Sequence, residues 1–316
     1  MHITGRFRYN TMKCMRCSQN QLVDFDLNKM FASSSNIKND FLEIWDKINK
    51  LCDLNISFNS KDLENLVIYD ILDGTRSTLS TDDTFDYRLE CAFFTLNLIH
   101  TLKALGIKNS YFMIHTSYNR NRGENEFKLV LEKILLGAPF IKKYAIKNNI
   151  RCLCIGAKEN YELIDILKEV MDSTKDGDFN AFFLFDYAEF LPQSDGKKNI
   201  FDVLPDIDVC IRHTKFQISG GWIPGKMRKS VFLYSQNGST YNNWKSDEIV
   251  ALIAMSLFAK KLNEGEGLSK VYSDGEIKQR YIKREIDLFH KTVYFRKKPR
   301  KLFMLGSPIG IYQIFY

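Results

Sequence analysis

A chain of 316 residues, 45% hydrophobic and 26% charged, has the composition of a soluble globular protein and length enough for one large α/β domain or two small ones. Its net charge of +7 suits a diphosphate ligand, a membrane surface or nucleic acid; no recognised module or aromatic-basic interleaving supports the last, so no nucleic-acid partner is expected. No apolar run approaches the ~20 residues that span a bilayer, no signal-peptide core opens the chain, and seven scattered cysteines fit a reducing compartment, so a cytoplasmic location is expected.

Residues 1–63 read as an N-terminal extension. Cys14 and Cys17 form a lone Cys-x-x-Cys; a tetrahedral zinc site would need two more ligands, and free thiols are the simpler reading. Phe41, Ile44, Trp45, Ile48 and Leu51 recur at helical spacing, which predicts an amphipathic helix that must dock on the remainder of the chain. Leu54 to Glu64 reads as a connector.

From residue 64 the pattern alternates. Apolar runs at 65–71, 109–115, 150–155, 179–185, 208–212 and 229–235 read as strands. Stretches at 86–105, 124–147, 159–173, 245–262 and 275–290 have helical spacing. Near-continuous apolar strands separated by helices predict a single α/β domain, with a central parallel sheet of about six strands covered on both faces and flanked by helices. Ligands of such sheets sit beyond the C-terminal strand ends. Three polar segments follow strand ends: Asp73-Gly74-Thr75-Arg76, Ser117 to Arg122, and Arg212 to Ser219. They are expected to converge on one edge, where loop amides can hold a phosphate, Asp73 can bind a metal and Arg76 can pair with phosphate oxygens.

Residues 291–316 read as a basic and aromatic tail. Arg296-Lys297-Lys298-Pro299-Arg300-Lys301 precedes an apolar end containing Phe303, Met304, Leu305, Ile309, Tyr312 and Phe315. A solvated segment is the ordinary explanation of such a charge run. The alternative is peripheral contact with an anionic membrane surface.

The three polar segments, in this order and spacing, resemble the cis-prenyltransferases, the undecaprenyl diphosphate synthase family. That family opens with a strand ending Asp-Gly-Asn-Arg-Arg, here Asp73-Gly74-Thr75-Arg76-Ser77. Its Phe-Ser-Ser-Glu-Asn-Trp-x-Arg pattern is here His115-Thr116-Ser117-Tyr118-Asn119-Arg120-Asn121-Arg122. Its late Asp-x-x-Ile-Arg-Thr…Arg-x-Ser pattern is here Asp208 to Arg212 and then Gln217-Ile218-Ser219. The resemblance covers about residues 64–290, the expected catalytic domain. It implies a homodimer that uses Mg²⁺ and acts on an allylic prenyl diphosphate of C10–C20, with isopentenyl or dimethylallyl diphosphate as the second-substrate candidate.

By resemblance Asp73 is the catalytic carboxylate and metal ligand, and Asn119 and Ser117 are catalytic neighbours. Gly74, Thr75, Arg76, Arg88, Arg122, Arg212 and Ser219 hold diphosphate, with Arg88 standing where the family has a histidine. Several positions depart from the pattern. Ser77 replaces the second loop arginine, Arg120 the tryptophan and Gln217 an arginine, and Phe232 occupies the place of a metal-binding glutamate. Arg212, Gln217 and Phe232 belong to the site for isopentenyl diphosphate, so the first site is better kept than the second. The resemblance therefore implies short-chain or branched prenyl transfer with loss of pyrophosphate. The alternatives are a terpene synthase or cyclase of the same fold acting on one prenyl diphosphate, and a non-catalytic partner subunit of an active prenyltransferase.

Overall fold

The computed structural model describes residues 31–52, 55–71, 89–118, 123–156, 161–187, 200–212, 221–223, 225–227, 230–235, 246–264, 275, 302–307 and 310–315. Each apolar run forms a strand: β1 Val67–Ile71, β2 Asn109–Met113, β3 Ile150–Gly156, β4 Phe179–Phe185, β5 Val209–Arg212 and β6 Val231–Ser235. The helices are α1 Ser34–Cys52, α2 Ser60–Glu64, α3 Glu90–Ala104, α4 Glu124–Lys147, α5 Tyr161–Ser173 and α6 Ser246–Glu264. The expected helix at 275–290 lies outside the described residues apart from residue 275. Helix α2 falls inside the stretch read as a connector. Asn59 and Asp62 explain it: the Asn59 side chain accepts from the Asp62 N–H while the Asp62 carboxylate accepts from the Asn59 N–H, a reciprocal cap that stabilises even one short turn.

The sheet runs β3-β4-β2-β1-β5-β6-β7-β8. Strands β1 to β6 are all parallel. The last two strands, β7 Leu302–Ser307 and β8 Gly310–Phe315, pair antiparallel with β6 and with each other. Residues assigned from sequence to a solvated or membrane-seeking tail thus extend the sheet. The alternation of apolar residues there is long enough for a hairpin, and the open side of β6 supplies its template. The basic run 296–301 lies outside the described residues.

Side chains alternate across each strand. Ile68, Phe112, Phe183, Val209 and Ile211 join one apolar cluster, which also takes the buried residues of all six helices. Tyr69, Tyr111, Met113, Phe182 and Cys210 join the other, which is covered by Phe201, Ile207, Ile223 and Met227. Both faces are covered, as expected, but among the described residues the second face is closed by non-helical chain and one 3-10 turn, Ile200–Asp202. Helix α1 docks as its spacing requires. Ile37, Phe41, Trp45 and Ile48 are buried, and Trp45 packs on Phe258 of α6 at 5.5 Å between rings while its indole N–H donates to the Ile56 carbonyl at 3.0 Å.

Candidate active site

Strand β1 lies between β2 and β5. The chain leaves β1 towards β2, and β5 and β6 lie on its other side, so β1/β5 is the point where the winding reverses and a crevice opens at the C-terminal ends. The register shows which residues stand there. Ile71, the last residue of β1, is level with Met113 of β2 and with Arg212 of β5. Asp73 follows Ile71 by two residues, Ser117 follows Met113 by four, and Arg212 itself closes β5. The chain around Asp73, Ser117 and Arg212 therefore starts from three adjacent strand ends in one row.

Ser117 is half-buried, and backbone bonds fix its place. Ile114 N–H donates to the Leu184 carbonyl at 3.0 Å and Ser117 N–H to the Tyr187 carbonyl at 2.9 Å, which zips the segment after β2 onto the end of β4. His115, buried, accepts the Asp186 N–H at Nδ1 over 2.6 Å and packs against Phe127 and Phe185. An Nδ1 that accepts a backbone N–H leaves the ring proton on Nε2. Sequence reasoning had passed over His115, which stands where the family pattern has a phenylalanine.

Arg212 is half-buried at the end of β5. Its register partner Ile71 places it on the second face, with Tyr69 and Cys210. Phe232, level with Cys210 on β6, packs its ring 4.9 Å from that of Trp222. The position that resembles a metal-binding glutamate is thus part of an apolar aromatic contact. Asp208, the first residue of the late motif, is at the other end of the sheet. Its carboxylate accepts from the Val67 N–H at 2.9 Å and from the Lys260 ammonium at 2.7 Å, so it ties β5 to β1 and α6. Asp70, fully buried, lies level with Phe112 and Ile211, on the face opposite Tyr69 and Ile71. Asp73, Gly74, Thr75, Arg76, Arg88, Asn119, Arg122, Gln217 and Ser219 lie outside the described residues, as do Cys14 and Cys17.

Among the described residues no group of three or more His, Cys, Asp or Glu could hold a metal. Cys152, Cys154 and Cys210 are free thiols. Burial pushes the Cys152 thiol up to about 12 and raises that of Cys154 as well, which makes both poor nucleophiles at neutral pH. No described helix is long and apolar enough to cross a membrane.

No family model matches the chain, and no curated protein matches it. Solved structures do. A probable undecaprenyl diphosphate synthase from Campylobacter jejuni is 14% identical, covers 61% of this chain and 95% of its own, and superposes with a TM-score of 0.47. Lavandulyl diphosphate synthase from Lavandula x intermedia, solved with dimethylallyl diphosphate, is 13% identical, covers 68% and 99%, and has a TM-score of 0.49.

Proposed function

We propose that this protein processes an allylic prenyl diphosphate in a Mg²⁺-dependent reaction that releases pyrophosphate, as a short-chain or branched-chain prenyltransferase. The observation that carries this reading is the row of strand ends at β2, β1 and β5, from which the three family-like segments leave the sheet at its winding reversal. Breaking the bond between the allylic carbon and oxygen leaves negative charge on the diphosphate. Positioned arginines and amides stabilise that charge, here Arg76, Arg88 and Arg122 with the loop amides of Gly74 and Thr75. Asn119 and Ser117 orient the reacting groups. Mg²⁺ suits a site with few protein ligands, because it keeps several waters and shares substrate phosphate oxygens. Asp73 would hold it and add charge neutralisation to the leaving group.

A second reading is favoured by one observation. The Phe232 ring is committed to Trp222 and cannot bind a metal, and Gln217 carries no charge, so the site for a second diphosphate is depleted. A terpene synthase or cyclase that ionises one prenyl diphosphate needs no such site. Incubation with C10, C15 and C20 allylic diphosphates, with and without isopentenyl diphosphate, followed by product mass, separates the two. Masses that grow by isopentenyl units support transfer; products from the allylic substrate alone support the synthase, and no turnover of any substrate defeats both.

A further inference from the structure

Three buried tyrosines on the second face do more than fill the core. Tyr69 of β1 donates its hydroxyl to the Gly221 carbonyl. Tyr187, two residues beyond β4, donates to the Trp222 carbonyl at 2.7 Å, and Tyr111 of β2 donates to the Pro205 carbonyl at 2.8 Å. Burial, with the Asp206 charge adding to it, holds the Tyr111 hydroxyl above its ordinary pKa, so it stays protonated as a donor. The hydroxyls thus reach from adjacent strands to main-chain carbonyls of the two segments that close this face.

Gly221 and Arg212 are the two ends of the chain segment that carries Gln217 and Ser219. Arg212 is held by the sheet. Gly221 is held by its contacts, and a side chain is not tolerated there: its φ is +87°, and a Cβ would come within 2.8 Å of the Met113 methyl and 3.2 Å of the Tyr69 hydroxyl. Met113 and Arg212 flank Ile71 on one face at one level, so Gly221 lies over the same end of the sheet that Arg212 closes. Trp222 then stacks on Phe232.

We infer that Tyr69 and Tyr187 are positioning residues for the second-substrate side of the site: by fixing the Gly221–Trp222 main chain over the C-terminal ends of β1 and β2, they set the exit of the segment whose entry is Arg212. This rests on the diphosphate reading of the site. With the charge lost at Gln217 and the carboxylate absent at Phe232, affinity on this side depends on Arg212 and on how firmly that segment's ends are held.

The test uses the full chain carrying Tyr69→Phe, Tyr187→Phe and both, which keep the rings and remove only the hydroxyls. Each lost hydrogen bond is expected to speed amide exchange in the peptide spanning 221–227 by roughly two- to tenfold. Inorganic pyrophosphate affinity with Mg²⁺, read by calorimetry, is expected to fall at least fivefold in the double variant, and adding Arg212→Ala is expected to lower it little further. A purely structural role would lower the melting temperature without moving the Arg212-dependent affinity. Unchanged exchange at 221–227, or parent-like pyrophosphate affinity in a double variant whose parent binds, overturns the inference alone. A parent chain that binds no pyrophosphate overturns the diphosphate reading and the inference with it. If the double variant fails to fold, the same two measurements on the single variants decide.

Discussion

Asp73 stands two residues beyond Ile71, at the centre of the row of strand ends, and is the one carboxylate of its loop. Removing a group that stabilises developing charge costs about a hundredfold or more in turnover. Asp73→Ala should show that loss with an unchanged melting temperature, and turnover within a few-fold of the parent would rule out its assigned role. Phe232 is a packing residue on the second face, so the obvious repair of the second site carries a structural cost. Phe232→Glu places a carboxylate against Trp222, and an unpaired polar group in such a place costs about 1–3 kcal/mol. Thermal melts should therefore show Phe232→Glu less stable than Phe232→Leu. Equal melting temperatures would mean that the 232 side chain is free to turn to solvent.

At the scale of elements, α1 shows how the N-terminal part of the chain joins the core. Its buried face meets α6 and α3, and just before it His100 of α3 fastens the chain. The His100 Nε2 bonds the Ala32 carbonyl at 2.8 Å, and Nδ1 meets the Tyr144 hydroxyl at 2.7 Å. A carbonyl only accepts, so Nε2 carries the proton and Nδ1 accepts from Tyr144. Burial holds the His100 pKa below its ordinary value, against the raising effect of the Ala32 bond. The unfolded chain binds the proton more readily than the folded one, so this residue's contribution is intact above about pH 6.5 and is lost as pH falls from there towards the folded pKa. Melting curves from pH 7.5 to 5 should fall more steeply for the parent than for His100→Gln; parallel curves would show that His100 is protonated in the fold. Trp45→Ala, which empties the α1–α6 contact, should cost about 3–5 kcal/mol in denaturant unfolding.

The whole molecule presents a mixed sheet of eight strands with β3 at one edge and β8 at the other. The resemblance implies a homodimer, and light scattering at micromolar concentration should find twice the chain mass; a strict monomer would count against it. Depleted second-site charge also sets a limit on product length. Each missing charged contact is worth on the order of 1.5–3 kcal/mol, so repeated addition of isopentenyl units is not expected. Polyprenyl products in the C50 range from farnesyl and isopentenyl diphosphates would refute this.

The six parallel strands and most helix spans were legible because buried parallel strands read as continuous apolar runs and helices as a 3.6-residue period, both properties of neighbours in sequence. Asp73, Ser117 and Arg212 could be named as strand-end residues for the same reason. The hairpin at 302–315 was read as a tail, since its pairing with β6 is a contact across some 70 residues that no local pattern records. Tyr69, Tyr111 and Tyr187 looked like ordinary apolar strand residues, and nothing in their spacing says that their hydroxyls reach the carbonyls of Gly221, Pro205 and Trp222. Nor could sequence say that Asp208, inside the late motif, serves the opposite end of the sheet. A hydrogen bond needs two groups within about 3 Å, and for residues this far apart in the chain only the folded sheet brings them there.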